Sequence, residues 1–219
     1  ASGYREFGFF PGAFINMLAL LGWNPGTEQE IFDLQGLVDA FDLSKVSKSG
    51  AKFDFEKGKW FNQLYLRDLS EAELAHELKN VLDNEGLSYN EAHLGTIATM
   101  MSERATFPQD LLEEGRFLFE TPSDYDEKTR AKKWNEESAP MMKDLAARFN
   151  ALPDFTSDAI EACFKGYLAE KELGFGKVGP SFRLAVTGKG MGPSMFTICA
   201  VLGKDEVLAR ISKAIEVLG

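Results

Sequence analysis

Residues 8–23 read GFFPGAFINMLALLGW and are followed at once by the turn sequence NPG. Apolar side chains recur here at helical spacing, and Pro11 can occupy a first helical turn because its missing N–H has no helical partner there. Gly22 stands where a glycine commonly caps a helix, and Pro25 prevents the helix from resuming. The stretch therefore predicts an apolar helix with a defined start and a defined end.

The rest of the chain shows the same helical spacing and no convincing strand. Ser70 and Glu73 form a capping box ahead of an apolar helix. The Gly-Pro-Ser sequences that begin at Gly179 and Gly192 predict two short helices that start alike. A short amphipathic helix is predicted whose apolar face consists of Leu34, Leu37, Val38 and Phe41. Longer helices are predicted at residues 53–66, 126–135, 138–149 and 156–173, and the fold class is all-α.

Length and composition indicate a folded protein of one to three domains. The chain has 219 residues, of which 44% are apolar and 18 are Phe, so it can bury a sizeable core. No apolar run approaches the ~18–20 residues of a membrane span, so no membrane partner is expected. The first residue is Ala and no charged-then-apolar leader follows, which predicts a processed or truncated chain without a signal peptide.

Cys163 and Cys199 both lie in apolar helical patterns, so we expect them to be buried. The chain has two histidines and no Cys-x-x-Cys pair, so no metal site is predicted at known ligand spacing. Cysteine usage of this kind fits a reducing, cytoplasmic compartment.

The net charge is −10 and the pI about 4.8, which argues against nucleic-acid binding because phosphate contacts need clustered Lys and Arg. However, nucleic-acid binding depends more on the charge of a local surface patch than on the net charge of the chain. Acidic residues concentrate at residues 28–42, 71–91 and 113–137, whereas the last third has far fewer acids. A basic face is therefore permitted in the last third, where the basic residues are Lys165, Lys171, Lys177, Arg183, Lys189, Lys204, Arg210 and Lys213.

The opening stretch resembles the G-[YF]-x-P-x-A-x-x-N-x-L-A-x-x-G-W block of bacterial glutamyl-tRNA synthetases, which are class I aminoacyl-tRNA synthetases. Residues 53–62, FDFEKGKWFN, resemble the F-D-x-x-K-L-x-W-x-N segment of that family. Residues 183–188, RLAVTG, resemble its R-x-A-[LV]-T-G segment. The resemblance covers residues 8–218, which is nearly the whole chain.

The resemblance implies that this is the tRNA-reading half of a longer ligase. Residues 1–69 would form the stem-contact region, and residues 70–123 and 124–219 the two helical anticodon-binding domains. The parent enzyme would use ATP and Mg to attach glutamate to tRNA(Glu), with its catalytic residues upstream, so none is assigned here and no cofactor is expected in this chain. The implied partner is tRNA(Glu) rather than DNA, and the implied state is a cytoplasmic monomer.

The same resemblance assigns anticodon contacts to five residues. Arg104 would approach the third anticodon base and Arg183 the first, while Pro193 would pack against the middle one. Met195 and Phe196 would supply an apolar shelf, because splayed single-stranded bases are read by arginine planes and apolar surfaces. The alternatives from the residues alone are a helix-end cation for Arg104 and a solvated side chain for Arg183.

Residues 45–49, KVSKS, spell the pattern of the ATP-binding loop of class I synthetases. That loop works only against a Rossmann-type domain, and no alternation of strands and helices or glycine-rich turn is visible here. In the family the true loop precedes the opening stretch. Residues 45–49 are therefore expected to form a solvated basic turn, and weak tRNA-backbone contacts are expected from Lys45, Lys48, Lys57 and Lys59.

Two other functions stay open from the sequence. One is a helical adaptor that binds a protein or peptide, which the acidic surface favours. The other is a catalytically inactive paralogue that binds tRNA for another purpose.

Overall fold

The computed structural model describes residues 3–48 and 50–219. The regular structure in this part of the chain is helical. Ser49, the last residue of the predicted basic turn, lies outside the described residues, as do Ala1 and Ser2. The chain divides into two compact units, Ala1–Gly115 and Arg116–Gly219. The described residues contain twelve α-helices, and their β-pairing is limited to one isolated bridge, so the all-α prediction is confirmed.

The first unit contains six α-helices and a short 3-10 helix at Leu43–Lys45. Helix α1 packs against α2 and α3, whereas α4, α5 and α6 pack against one another. The bounds are α1 (Pro11–Gly22), α2 (Leu34–Ala40), α3 (Phe55–Asp68), α4 (Glu71–Glu85), α5 (Glu91–Ser102) and α6 (Pro108–Gly115).

The second unit begins with a 3-10 helix at Arg116–Leu118 and also contains six α-helices. Helix α12 packs against α8, α10 and α11, and α7 packs against α10. The bounds are α7 (Glu127–Lys133), α8 (Ser138–Asn150), α9 (Ser157–Glu170), α10 (Phe175–Thr187), α11 (Met195–Leu202) and α12 (Lys204–Leu218). No helix in the described part of the chain is long and apolar enough to cross a bilayer.

Helix α1 starts at Pro11 as predicted but ends in a different way. Gly22 is the last helical residue, and Trp23 follows in an extended conformation with φ −140°. Trp23 pairs with Val46 in an antiparallel bridge, and the N–H of Ser47 donates to the carbonyl of Gly22 over 2.7 Å. A distant segment therefore satisfies the helix end, and Gly22 does not adopt the left-handed conformation of a glycine cap.

The predicted helix start at Gly179 is wrong. Helix α10 begins at Phe175, and Pro180 lies inside it. A proline there removes one helical hydrogen bond. Burial of Val178 and the packing of the Phe175 ring 5.8 Å from the Phe164 ring favour the earlier start. The second predicted start is confirmed: Ser194 caps α11, and its Oγ accepts from the N–H of Thr197.

Arg210 on α12 is a buried cation that joins three segments of the second unit. Its side chain is only 3% exposed. Nη1 donates to the carbonyls of Phe117 over 2.6 Å and Val186 over 3.0 Å, and Nε donates to Glu206 over 2.7 Å.

The segment 116–122 also contacts α12. The hydroxyl of Thr121 donates to Glu206, and the amino group of Lys213 donates to the carbonyl of Pro122. The division into residues 1–69, 70–123 and 124–219 stays a prediction, although residues 116–122 belong to the second compact unit.

The apolar face predicted for α2 is exposed except at Leu37. Leu34 and Val38 are each 63% exposed and Phe41 is 54% exposed. Together with Ile15 and Trp23 they line an open groove of the first unit, which we call the α1–α2 groove. Surface residues of this size commonly occur singly, so a contiguous set of them is a distinct feature.

The two thiols differ in burial. Cys199 is fully buried, as predicted, whereas Cys163 is half-buried. Loss of hydration raises the pKa of the Cys199 thiol to about 12, and the same cause raises the pKa of Cys163. The thiolate is the reactive form, so Cys199 is protected by both its burial and its pKa.

We expect iodoacetamide at pH 8 to modify Cys163 in the native chain and to leave Cys199 unmodified until the second unit opens. Mass spectrometry of the alkylated peptides after timed exposure measures both rates. A Cys163→Ser variant is the control, because it should label only in denaturant. Equal native rates at the two thiols would contradict this prediction.

Candidate nucleic-acid interface

Arg104 lies two residues beyond the end of α5, and its side chain is exposed. The guanidinium forms no hydrogen bond or ion pair with any residue that the structure describes. Its backbone is fixed: the N–H of Arg104 donates to the carbonyl of Met101 over 3.1 Å, and Arg67 donates to the carbonyl of Glu103 over 2.6 Å. Arg104 therefore presents an exposed guanidinium from a backbone that is held by hydrogen bonds, and a guanidinium can donate two hydrogen bonds in one plane.

Asn62 on α3 holds the segment that follows Arg104. Its side chain is fully buried. Nδ2 donates to the carbonyl of Thr106 over 2.7 Å, and Oδ1 accepts from the N–H of Phe10 over 2.8 Å. Both partners are distant from Asn62 in sequence. The amide links the start of α1 to the loop that carries Arg104.

Arg183 lies on α10 of the second unit, four residues before the helix ends at Thr187, and is half-buried. The hydroxyl of Thr187 donates to the carbonyl of Arg183 over 2.8 Å, and Gly188 ends the helix with φ 71°. A Cβ at Gly192 would lie 3.0 Å from Nη1 of Arg183. Glycine at 192 thus lets the guanidinium lie against the loop at residues 188–192.

The loop at residues 188–192 packs on the start of α7. The N–H of Asp126 donates to the carbonyl of Gly188 over 2.8 Å. A Cβ at Gly188 would come within 2.6 Å of the carbonyl oxygen of Asp124, and one at Gly190 would overlap Thr129. The two glycines therefore permit a close approach that larger residues would prevent.

The predicted apolar shelf is only partly accessible. Met195 is 2% exposed and packs in the core, so its burial does not fit a surface that stacks on a base. Pro193 and Phe196 are half-buried, and the Phe196 ring packs 5.5 Å from the Phe164 ring. Met191, between two glycines, is 79% exposed and is the accessible apolar side chain of this loop.

The four lysines predicted to contact tRNA backbone differ in their availability. Lys45 donates to the carbonyl of Pro25 over 2.7 Å. Lys57 pairs with Glu30 over 2.7 Å, and Lys59 pairs with Glu56 over 2.9 Å. Lys48 is exposed and has no partner among the described residues. The backbone contacts stay a prediction, and Lys48 is the most available of the four.

The described residues at 45–48 do not fit an ATP phosphate site. Lys45 ends a 3-10 helix with its amino group bound to a carbonyl, and Val46 and Ser47 are fixed against the end of α1. A phosphate-binding loop instead presents free N–H groups and a free lysine. Within the described residues, no group of three or more His, Cys, Asp or Glu is arranged to hold a metal ion.

Most cations of the last third do not form the basic face that the sequence permits. Three of them pair with carboxylates: Lys165 with Glu161, Lys171 with Asp144, and Lys177 with Glu137. Arg210 is buried, and Lys204 and Lys213 donate to backbone carbonyls. The exposed basic cluster lies instead on α7, within a stretch counted as acidic, and its signal is the sequence EKTRAKK at residues 127–133.

Comparison with known proteins gives two family matches. The anticodon binding domain model matches residues 66–215, and the model for the catalytic domain of class I tRNA synthetases (E and Q) matches residues 1–60. Glutamate–tRNA ligases of Phocaeicola vulgatus and Flavobacterium johnsoniae are 47% and 46% identical over 218 residues. Those matches cover all of this chain and 43% of each relative, so the chain spans less than half of their length.

Solved structures give the same result. A crystal structure of a glutamate tRNA ligase from Elizabethkingia meningosepticum superposes with a TM-score of 0.95 at 40% identity, over all of this chain and 43% of that one. The glutamate-tRNA synthetase from Elizabethkingia anophelis superposes with a TM-score of 0.91 at 38% identity, over 99% of this chain and 43% of that one.

Proposed function

The chain belongs to the anticodon binding domain family, and on that premise we propose that it recognises the anticodon and the inner stem of tRNA(Glu) as part of a glutamate–tRNA ligase. The observation that carries the proposal most directly is the exposed guanidinium of Arg104 on a fixed backbone. Arginine donates two hydrogen bonds in one plane, which suits the edge of an unstacked base.

Each unit has a role in this proposal. Arg104 in the first unit reads the third anticodon base, and Arg183 in the second reads the first. Pro193 and Phe196 offer apolar surface to the middle base, while Met195 supports them from the core. Residues 1–69 contact the inner stem, where Lys48 is the available cation.

The relatives are named glutamate–tRNA ligases, and we propose that the whole protein attaches glutamate to tRNA(Glu) with ATP and Mg. We place the catalytic residues in the part of the ligase that this chain does not span, and the misfit of residues 45–48 to a phosphate site supports this placement. We further propose that the protein acts as a cytoplasmic monomer.

The primary test is the binding of tRNA(Glu) by the purified chain as a function of salt. Phosphate binding releases counterions, so the logarithm of the binding constant falls linearly with the logarithm of the salt concentration. A salt-dependent dissociation constant supports the proposal, and a protein-binding adaptor would show none. Absence of tRNA binding at low salt would overturn it.

The Arg104→Gln variant should bind tRNA(Glu) more weakly by roughly 1–3 kcal/mol, the scale of one lost base contact. The third anticodon base is C in tRNA(Glu) and G in tRNA(Gln). Arginine donors suit the acceptors of cytosine, whereas guanine presents donors and greater bulk at its pairing edge. The ratio of the affinities for tRNA(Glu) and tRNA(Gln) should therefore also decrease in the variant. Competition binding of the two tRNAs measures both effects.

Arg148→Gln is the matched control, because it makes the same charge change at an arginine that is already paired with Glu170. The control should leave the ratio of the two affinities unchanged. An unchanged ratio in Arg104→Gln as well would identify Arg104 as a helix-end cation without a role in base choice.

A further inference from the structure

Helix α7 carries the densest group of unpaired cations in the second unit. Its basic side chains are all exposed, and none forms an ion pair or a side-chain hydrogen bond with a described residue. They are Lys128, Arg130, Lys132 and Lys133. Most other cations of this unit pair with a carboxylate or donate to a carbonyl, and the exceptions include Lys143 on α8 and Lys189.

Helix formation alone does not account for this group. Cations in the last turn of a helix interact favourably with its dipole by about 0.3–1 kcal/mol, which covers Arg130, Lys132 and Lys133. Lys128 is the second residue of α7, where the dipole is unfavourable to a cation. Lys128 and Lys132 are also four residues apart on one face, a like-charge arrangement that costs a few tenths of a kcal/mol (about 0.2–0.5).

The loop at residues 188–192 adds Lys189 to the same surface. Its backbone is held against α7 by the bond from the N–H of Asp126 to the carbonyl of Gly188. The pKa of Asp126 is lowered first by its hydrogen bonds with Thr129 and further by the charges of Lys128 and Lys189. Asp126 is the cap of α7 and is engaged by the N–H of Thr129 over 2.7 Å.

The cationic surface continues to a residue that the proposed function places at the anticodon. Gly192, at the end of the same loop, lies against the guanidinium of Arg183. One segment of five residues therefore connects the exposed lysines of α7 to a base-reading arginine within a single unit. Lys128 and Lys132 are separated by about 6 Å along the helix axis, which suits contacts with neighbouring phosphates of one strand.

We propose that α7 together with Lys189 binds the phosphodiester backbone of the tRNA anticodon arm and so orients it for base reading by Arg183. This inference rests on the proposed function and adds a phosphate-binding site to it. Phosphate contacts fix register and carry no sequence information, so the α7 surface sets affinity and leaves base choice to the arginines. It also supplies local attraction in a chain whose net charge is −10.

The test compares two double variants with equal charge change in the same unit. Lys128→Gln/Lys132→Gln removes the α7 face, and Lys165→Gln/Lys171→Gln removes two lysines that are already paired. Dissociation constants for tRNA(Glu) are measured from about 50 to 200 mM salt. The slope of the logarithm of the binding constant against the logarithm of salt concentration is negative. Its magnitude should decrease in the α7 variant by about 0.7–0.9 per lost phosphate contact, whereas the control should keep the wild-type slope.

Every outcome decides the proposal. An unchanged slope in the α7 variant, or equal losses in both variants, overturns the α7 site while salt-dependent binding by the wild type still supports the proposed function. A wild type that does not bind tRNA overturns both. The ratio of affinities for tRNA(Glu) and tRNA(Gln) should stay constant in the α7 variant, and circular dichroism confirms that these surface variants are folded.

Discussion

Replacing Arg210 with methionine is expected to lower the free energy of unfolding of the second unit by about 4 kcal/mol. Methionine fills much of the same volume but cannot donate a hydrogen bond. The carbonyls of Phe117 and Val186 would then be buried without their donor, and Glu206 would lose its partner. Urea unfolding followed by circular dichroism gives the free energy, and alkylation of Cys199 reports opening of this unit specifically.

Arg148→Met is the control for charge and size, because Arg148 pairs with Glu170 at the surface, and surface ion pairs contribute little to stability. If Arg210→Met lowered the free energy of unfolding by no more than Arg148→Met does, the role assigned to the buried guanidinium would be contradicted.

The effect of Arg210 should depend on pH. The hydrogen bond from Arg210 is the main cause that lowers the pKa of Glu206 from its ordinary value of 4.5. A carboxyl with a lowered pKa contributes stability that is present above its unfolded pKa and is lost as pH falls through the folded value. The difference in free energy of unfolding between the wild type and Arg210→Met should therefore become smaller below about pH 4.5.

Replacing Asn62 with leucine is expected to destabilise the first unit by about 3 kcal/mol, because three part-buried backbone groups lose their partner. These are the N–H of Phe10 and the carbonyls of Gly8 and Thr106. The loop after Arg104 also loses its anchor, so discrimination between tRNA(Glu) and tRNA(Gln) should weaken although Asn62 contacts no RNA. Unfolding in urea and competition binding measure the two effects.

Asn80→Leu is the matched control, since Asn80 is exposed on α4 of the same unit. It should leave both measurements close to the wild type. If Asn62→Leu lowered stability while leaving the tRNA preference intact, Asn62 would have no part in positioning Arg104.

Features that depend on short-range sequence were predictable. Helical spacing predicts the all-α class, Pro11 marks the start of α1, and the capping box of Ser70 and Glu73 forms as expected. These features involve groups within four residues of one another. Their signals lie within about one helical turn, so a single sequence is sufficient to identify them.

Features that depend on distant partners were not predictable. Gly22 looks like a helix cap, but its carbonyl is satisfied by Ser47 from another segment. Pro180 looks like a helix start, but burial of Val178 extends α10 past it. The basic surface is the clearest case, because counting charges along the chain cannot show that Lys165 is neutralised while Lys128 is not.

The α1–α2 groove has a practical consequence for following the stability of this chain. Dyes such as anilinonaphthalene sulfonate fluoresce on exposed apolar surface and usually mark partly folded states. Leu34, Val38 and Phe41 present such a surface in the folded first unit. Dye fluorescence should therefore be high before any melting occurs. The rise in dye fluorescence on unfolding would then be small, although circular dichroism of the helices would record the full transition.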